Sequence, residues 1–273
     1  MIDDIPVFCE PDAFYEGKWT EPDTSGGTLR NWLIKKQRFF MQRLSGDEGL
    51  LLDLGCGGGW SVFALSREVV GIDVSRSSLA AARSINYRVA AADLGELPFP
   101  DGSFDLVVSS DVLGHVPIEA KDRVLSEILR VLKKGGRTLH YSEADGQDPL
   151  NRYAKRFPGL YEKYITGPEG HIGLERASDI AARFRRHGFV PVKEIPCYRG
   201  LVYVNRIVQY FDNEYRQRAW LLSAAVTVCE ALMRSKAVEN LANLVITFAM
   251  EIGDLVLPPD WAGGILVEYR KGL

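Results

Sequence analysis

A glycine-rich turn directly after an apolar run is the first place in the sequence where chemistry can be located. The run Leu51–Leu54 contains Asp53 and leads into the turn 55–59, which has glycine at four of its five positions. Glycine lets the backbone approach a ligand closely, and a helix that starts there offers free N–H groups. Asp73 ends the next apolar run, and an acid at that point can accept both hydroxyls of a ribose. The pattern predicts a nucleoside-containing cofactor.

The turn departs from the dinucleotide fingerprint GxGxxG. Counted from Gly55, that fingerprint requires glycine at position 60, where this chain has Trp60. The third glycine permits close packing of helix on strand over a pyrophosphate, so Trp60 argues against a dinucleotide. The Gly-Lys-Ser/Thr sequence of a P-loop is also missing. A nicotinamide oxidoreductase on a similar fold remains an alternative enzyme class.

Histidine is the side chain best suited to proton transfer near neutral pH, and the chain has four. His115 and His171 are the candidates for a base that deprotonates an acceptor hydroxyl. His140 alternates within a strand pattern, and His187 lies at a helix C-terminus, where a cation is favoured. We therefore expect structural roles for these last two.

The sequence around these residues alternates between strand and helix patterns. The predicted elements up to residue 143 are an irregular arm over 1–27, an amphipathic helix over 29–44, strands at 50–54, 68–73, 87–91, 104–109 and 137–142, a helix start at 58–66, and helices at 76–84 and 118–132. Such alternation indicates βαβ units and a mostly parallel sheet. The expected fold is α/β, Rossmann-like and doubly wound, with seven strands.

The regular alternation of strand and helix patterns is interrupted after residue 143. The stretch 144–173 is rich in proline and tyrosine and is predicted to be irregular; a helix at 176–187 and strands at 189–195 and 264–269 follow, with an apolar helical block at 203–257 before the last strand. We expect one domain over 1–273. Its parts are the arm and first helix (1–45), a cofactor-binding core (46–143), a substrate-side loop, helix and strand (144–202), a helical insertion (203–257) and the last strand (258–273).

Four stretches in this order resemble the class I S-adenosylmethionine-dependent methyltransferases. They are DLGCGGG at 53–59, GIDVSRSSLAAAR at 71–83, AADLGELPFPDGSFDLVVSSDVLGHV at 91–116 and EILRVLKKGGRTLHYSE at 127–143. Within that family the likeness is to the small-molecule branch typified by ubiquinone and menaquinone biosynthesis enzymes. The clear resemblance covers residues 50–143, and a weaker one covers 170–189.

The resemblance implies S-adenosylmethionine as the cofactor and assigns roles to individual positions. The implied cofactor contacts are Asp53, Gly55, Gly57 and Gly59 for the methionine part, Asp73 for the ribose, Val74, Asp93 and Leu94 for the adenine, Ser109 and Ser110 for the reacting end, and Tyr15 of the arm for the methionine carboxylate. Plain packing of the arm is the alternative for Tyr15 and Trp19. Cys56 is predicted to be a small residue in a tight turn and not a nucleophile.

The same resemblance separates the two candidate bases. It implies that His115 faces the cofactor cleft, where a supporting role beside the cofactor is the alternative to catalysis. It implies that His171 corresponds to a histidine of the quinone-type O-methyltransferases. No metal site is expected. A cofactor-binding fold that has lost catalysis and serves as an interaction module is the remaining alternative; the intact glycine turn, Asp73 and Asp93 argue against it.

Composition excludes several classes of partner and compartment. The net charge of −3 and the 46 % hydrophobic residues are ordinary for a globular protein and give no general attraction to nucleic acid. The four cysteines show no metal or disulfide spacing, so free thiols are expected. The N-terminus lacks the pattern of a signal peptide, and no apolar stretch is long enough to span a membrane. A cytoplasmic enzyme is the resulting expectation.

The acceptor is expected to be a small, apolar or lipid-like molecule that is methylated at oxygen. Nucleic acid is not expected, since Ser109-Ser110-Asp111-Val112 replaces the motif of amino-methylating enzymes, and Pro196-Cys197 follows the wrong strand for a cytosine C5 enzyme. The block 203–257 is predicted to be a lid over the cleft, with Tyr153, Tyr161 and Tyr164 as the opposite wall. A homodimer contact, simple core and a peripheral membrane contact are the alternatives for this block.

Overall fold

The computed structural model describes residues 4–10, 12–22, 35–44, 49–64, 68–200 and 202–272. The chain divides into two compact units. The first unit consists of Met1–Ser142, Asp179–Ile195 and Leu266–Leu273, and the second of Glu143–Ser178 and Pro196–Ile265. None of the four cysteines, all of which lie in the described part of the chain, forms a disulfide.

Seven strands form a single sheet. They are β1 (Leu51–Leu54), β2 (Val69–Asp73), β3 (Arg88–Ala91), β4 (Phe104–Ser110), β5 (Leu132–Glu143), β6 (Phe189–Arg199) and β7 (Ala262–Lys271). Their order is β3-β2-β1-β4-β5-β7-β6, and the pairs among β1 to β5 are parallel. The predicted seven-stranded α/β fold is therefore confirmed. The order reverses between β1 and β4, and ligands of such sheets bind at this switch point.

The helices, in chain order, are α1 (Lys35–Leu44), α2 (Ser61–Ala64), α3 (Arg76–Ala82), α4 (Lys121–Val131), α5 (Pro149–Ala154), α6 (Pro158–Tyr161), α7 (Gly167–Glu169), α8 (Ala177–Arg186), α9 (Val204–Phe211), α10 (Trp220–Met233) and α11 (Lys236–Val256). All four residues of β1 are buried. A strand buried in this way reads as a continuous apolar run, and for this reason it is easily found in the sequence.

The helix predicted over 29–44 is seen as α1, and its first part, 29–34, lies outside the described residues. Phe40 is fully buried, with its ring 5.7 Å from Trp60 and 5.2 Å from Phe63 in edge-on contacts. Trp60, the residue that breaks the dinucleotide fingerprint, is thus part of an aromatic cluster next to the glycine-rich turn. Its bulk is accommodated because α1 packs there.

The prediction of an irregular stretch over 144–173 is wrong, since short helices occupy much of it. Pro149, Pro158 and Pro168 each stand in the first turn of a helix. Proline is favoured at that position, because the N–H it lacks would have no partner in the helix. Asp148 caps the first of these helices by accepting the N–H groups of its first turn. Prolines that resemble loop residues in the sequence are therefore helix starts.

These short helices and the helical block share the core of the second unit. The buried centre consists of Ala154, Phe211, Tyr215, Leu222 and Val226, with the tyrosines of the 149–166 segment packed against it. The hydroxyl of Tyr215 donates a hydrogen bond to the carbonyl of Ala154 at 2.8 Å. No helix in the described part of the chain is long and apolar enough to cross a membrane.

His140 lies in the core of the first unit, in line with its predicted structural role. Its ring is fully buried, with Nδ1 2.7 Å from Ser109 Oγ and Nε2 2.5 Å from Thr138 Oγ1. Thr138 donates its own proton to the carbonyl of Val107, so Nε2 carries the hydrogen and Nδ1 accepts. Burial lowers the pKa of His140 to about 3.

We expect the free energy of unfolding to fall as the solution is acidified below about pH 6.5, the ordinary histidine value, because the unfolded chain then binds a proton that folded His140 excludes. One such proton corresponds to a loss of about 2 kcal/mol between about pH 7 and about pH 5. Urea unfolding at the two pH values measures it. His140→Gln should show a shallower dependence than the wild type, and an equal slope in both proteins would contradict the assignment.

Candidate cofactor and proton-transfer sites

The glycine-rich turn has the backbone conformation that its sequence predicts. Gly55, Gly57 and Gly59 all have positive φ, at 60°, 50° and 83°, a region that side chains with a Cβ rarely adopt. A Cβ on Gly55 would also lie 2.8 Å from a methyl of Val112. The turn therefore has no room for a side chain at Gly55. It lies at the carboxyl end of β1, between the ends of β2 and β4.

Asp73, at the end of β2, uses both carboxylate oxygens to hold this edge of the sheet together. Oδ2 accepts the N–H of Gly57 at 2.8 Å, and Oδ1 accepts the N–H of Ser75 at 2.9 Å. Burial raises the pKa of Asp73, and these two hydrogen bonds oppose the rise. Each oxygen has a second lone pair, so the carboxylate has acceptor capacity left for ribose hydroxyls.

Asp53, which is predicted to contact the methionine part, is buried, with 3 % of its surface exposed. Its Oδ2 accepts the hydroxyl of Tyr87 at 3.1 Å, and this hydroxyl also accepts the N–H of Trp60. Burial raises the pKa of Asp53 well above its usual value. Burial also raises the pKa of Cys56 well above that of an ordinary thiol, which agrees with its predicted role as a small packing residue.

The predicted adenine contacts follow the neighbouring strands. Val74 comes directly after β2, and Asp93 and Leu94 come just after β3. Because β2 and β3 are adjacent and parallel, these residues lie at the same edge of the sheet as the glycine-rich turn. Asp93 Oδ1 accepts the N–H of Gly95 at 2.7 Å, which fixes the turn that follows β3.

Ser109 differs from the prediction that it lines the reacting end. Its hydroxyl is fully buried and contacts His140 in the core. Successive side chains of a strand point to opposite faces, and Ser110 is the partly exposed one of the pair. Its Oγ donates to Asp111 Oδ2 at 2.6 Å, and Asp111 forms an ion pair with Lys36 of α1. This ion pair joins residues 75 positions apart and was not predicted from the sequence.

The arm brings two aromatic rings to His115. Tyr15 and Trp19 are stacked with ring centroids 6.0 Å apart, and the imidazole of His115 lies 6.1 Å from the first and 6.0 Å from the second, edge-on to both. The carbonyl of Trp19 also approaches the turn closely, since a Cβ on Gly58 would lie 2.8 Å from it. His115 is thus enclosed by the arm beside the glycine-rich turn.

Glu16 fastens the arm to the start of α3. Its Oε1 accepts the N–H of Arg76 at 2.8 Å, and its Oε2 accepts the hydroxyl of Ser77 at 2.7 Å. The hydroxyl of Ser78 donates to the carbonyl of Lys18 at 2.5 Å. The hydrogen bond from Ser77 is the main cause of a lowered pKa for Glu16. This residue was not among those predicted from the sequence.

Glu16→Gln is expected to free the arm, since the amide loses the charge that strengthens these hydrogen bonds. Tryptic cleavage after Lys18 should be about 5- to 10-fold faster than in the wild type, because cleavage follows the open fraction of the arm. Glu10→Gln, on the exposed part of the same arm, is the matched control. Equal cleavage of the two variants would contradict the role of Glu16 in holding the arm against the start of α3.

The sign of the pH dependence follows from the same carboxylate. Folding lowers the pKa of Glu16 below its ordinary value of 4.5. The stabilisation of the folded arm by this carboxylate is therefore complete above pH 4.5 and is lost as the pH falls through the lowered value. An acid-stable protease such as pepsin should therefore cleave the wild-type arm faster on acidification. The Gln variant should show no such acceleration from this residue.

His171 lies in the second unit beside an acid that the sequence did not single out. Its Nε2 is 3.5 Å from Glu143 Oε1, and the two side chains are 14 % and 21 % exposed. The N–H of His171 donates to the carbonyl of Thr166, which anchors the residue after the short helices. Glu143 is the last residue of β5, and an acid at the carboxyl end of a parallel strand was the signal available in the sequence.

The cofactor predicted by the resemblance is compatible with these side chains. Asp73 retains acceptor capacity for a ribose, and the glycines of the adjacent turn carry no side chains that would block a ligand there. Asp93 and Val74 lie at the neighbouring strand ends. These residues would hold S-adenosylmethionine.

Comparison with known proteins identifies the family. A model of the family described as methyltransferase domain matches residues 52–139, which contain β1 to most of β5. A probable S-adenosylmethionine-dependent methyltransferase of Mycolicibacterium smegmatis is 31 % identical over 179 residues, covering 58 % of this chain and 68 % of that protein. The chain therefore belongs to the S-adenosylmethionine-dependent methyltransferases, and S-adenosylmethionine is its cofactor.

Two further proteins show how far the likeness extends. A demethylmenaquinone methyltransferase of Lactiplantibacillus plantarum is 28 % identical over 190 residues, covering 60 % of this chain and 78 % of that protein. The structure of phosphoethanolamine N-methyltransferase 2 of Haemonchus contortus, in complex with S-adenosylhomocysteine, matches the fold with a TM-score of 0.53 and 20 % identity over 91 % of this chain and 54 % of that one. For several other curated relatives, the chain spans 44–64 % of their length.

Proposed function

We propose that this enzyme methylates a hydroxyl group of a small apolar acceptor, and that His171 removes the hydroxyl proton. The observation that carries this proposal is the pair formed by His171 and Glu143, 3.5 Å apart and mostly shielded from water. S-adenosylmethionine, when bound, supplies an electrophilic methyl group on a sulfonium. The residues of this chain have to orient the acceptor and accept its proton.

The proton balance is simple. A neutral hydroxyl that gains a methyl group must lose one proton, which His171 Nε2 or Nδ1 accepts. Glu143 orients the ring and stabilises the positive charge that the imidazole acquires, as a carboxylate does in other histidine-based sites. The proton then leaves to solvent, since both side chains keep some exposure. Each turnover thus yields one methyl ether, one S-adenosylhomocysteine as the leaving group and one released proton.

The surroundings of the pair support an apolar acceptor. Burial raises the pKa of Tyr210 on α9, and the nearby carboxylate of Glu143 adds to this rise. Burial likewise raises the pKa of Tyr161, with a contribution from Asp145. Half-buried tyrosines in the unit that contains His171 offer aromatic faces, which suit an aromatic or prenylated acceptor better than a sugar. The demethylmenaquinone methyltransferase among the relatives is in keeping with a quinone-type acceptor.

The experiment is a competition among acceptors that share an apolar body and differ in the reacting atom. Naphthol, naphthylamine and naphthalenethiol, with and without a prenyl chain, are incubated with methyl-labelled S-adenosylmethionine, and the products are identified by mass spectrometry and NMR. We expect an O-methyl ether as the main product, with faster turnover of the prenylated naphthol. Exclusive methylation at nitrogen, sulfur or a ring carbon would contradict the proposal.

A further inference from the structure

Helix α11 (Lys236–Val256) has its polar residues on the face that packs inside the second unit. Asn243 Oδ1 accepts the N–H of Val204 at 3.1 Å, and Thr247 Oγ1 lies 3.3 Å from the hydroxyl of Tyr203. The carboxylate of Asp254 accepts two backbone N–H groups at the end of β6. A surface helix of a globular protein normally buries its apolar residues instead.

The opposite face of α11 is apolar and exposed to solvent. Six large apolar side chains lie on it: Val238 (44 % exposed), Leu241 (62 %), Val245 (60 %), Phe248 (49 %), Ile252 (62 %) and Leu255 (83 %). They are spaced alternately by three and four residues, which aligns them in one narrow stripe along the helix. This spacing is that of the a and d positions of a coiled coil.

The exposed area of the stripe is large for a monomer. All six side chains are between 44 % and 83 % exposed, and a monomeric protein rarely leaves an apolar patch of more than a few hundred Å² in water. A stable protein interface buries about 800 Å² per partner. A second surface of matching shape is therefore needed to cover them.

We propose that the stripe binds the same stripe of a second copy of this chain in an antiparallel helix pair. The spacing reads the same in both directions, so an antiparallel copy brings Val238 opposite Leu255, Leu241 opposite Ile252 and Val245 opposite Phe248. Each copy then offers the same residues to the other, as a two-fold symmetric dimer requires. The side chains of one helix fill the gaps between those of its partner.

The charges at the ends of α11 favour this orientation. Arg234 and Lys236 lie at the N-terminal end, where Lys236 also pairs with Glu239 of its own helix, and Glu251 lies at the C-terminal end. An antiparallel pair places the basic end of each helix next to the acidic end of the other, and it also pairs the opposite ends of the two helix dipoles. A membrane surface fits less well. Helices that lie on anionic lipid are rich in lysine and arginine, whereas α11 has one lysine and three acidic residues.

The first test compares association before and after one charge is placed in the stripe. Sedimentation equilibrium of the full chain is expected to show a monomer–dimer equilibrium in the wild type. Val245→Glu should weaken the dimer by at least about 100-fold, because the carboxylate would be buried without a partner. Ile118→Glu, at an exposed apolar position outside the stripe, is the matched control and should leave the dimer unchanged. Since Val245 is exposed in the monomer, the variant should have the same melting temperature as the wild type at protein concentrations low enough for the wild type to be monomeric.

The second test fixes the orientation. Chains with Leu241→Cys are mixed with chains carrying Ile252→Cys, oxidised, and mapped by mass spectrometry for a disulfide that joins positions 241 and 252. The antiparallel pair predicts this cross-link in the mixture, at least about 10-fold above any 241–241 or 252–252 cross-link, because only the mixed pair lies opposite at Cβ distances that a disulfide spans.

Three results would overturn the proposal. The first is a wild-type chain that stays monomeric up to about 100 µM, since that concentration would leave no useful affinity. The second is a dimer that Val245→Glu does not weaken, or that cross-links 241 to 241 in preference to 252. The third is a monomer whose stripe binds vesicles of phosphatidylglycerol and loses this binding in Val245→Glu, which would assign the stripe to lipid.

Discussion

Replacing His171 with alanine is expected to lower turnover by about 10²- to 10⁴-fold, the usual contribution of a general base. The affinity for S-adenosylmethionine should stay nearly unchanged, because the proposed role concerns the acceptor proton and not the cofactor. Turnover is measured with the naphthol acceptor that reacts fastest, and cofactor affinity by calorimetry. A loss in both quantities would instead indicate that His171 supports the cofactor.

Matched variants separate this role from simple damage to the fold. His187→Ala removes a histidine that pairs with Asp122 on the surface and should leave turnover intact. Glu143→Gln keeps the shape of the carboxylate but not its charge, so turnover should fall about 10- to 100-fold, as for other groups that position a catalytic histidine. The pH profile of the Gln variant should also move, which a purely structural role would not cause.

His115 provides the internal comparison. The rings of Tyr15 and Trp19 enclose it next to the glycine-rich turn, so His115→Ala should raise the dissociation constant of the cofactor more than it lowers turnover. The reverse pattern, with turnover lost in His115→Ala and affinity lost in His171→Ala, would exchange the two roles. Unchanged turnover in both variants would leave alignment of the acceptor as the only contribution of the protein.

The second large effect is expected at Asp73. Asp73→Ala should weaken S-adenosylmethionine binding by about 1.5–3 kcal/mol, the range for loss of charge-assisted hydrogen bonds. Part of the loss comes through the turn, because Asp73 also accepts the N–H of Gly57. Asp73→Asn, which can still accept that N–H, should recover part of the affinity. Equal binding by the alanine variant and the wild type would contradict the assignment of the ribose contact.

The parallel half of the fold could be predicted because its signals are local. β1 is apolar at nearly every position because both faces are covered, and the turn after it needs glycine because its φ angles are positive. The sequence predicts a strand over 137–142, whereas β5 begins at Leu132 and includes Lys133 to Gly136. Its pairing with β4 shifts register between Phe104 and Leu106.

Features that depend on distant partners could not be predicted. The three prolines of 144–173 look alike in a loop and in a first helical turn, and the packing around Tyr215 decides between them. The apolar character of α11 was visible in the sequence, but its outward face was not. That face is fixed by the backbone groups that Asn243 and Asp254 satisfy inside the unit. Glu143 was not predicted for the same reason, because its proposed role follows from the 3.5 Å distance between its Oε1 and Nε2 of His171.

The cofactor site built from the glycine-rich turn and Asp73 is tested most directly by calorimetry of the purified chain. We expect S-adenosylmethionine and S-adenosylhomocysteine to bind at one site per chain, NAD to give no heat of binding, and Asp73→Ala to weaken the first two by about 10- to 150-fold. Binding of NAD in place of S-adenosylmethionine, or identical S-adenosylmethionine binding by wild type and Asp73→Ala, would contradict it.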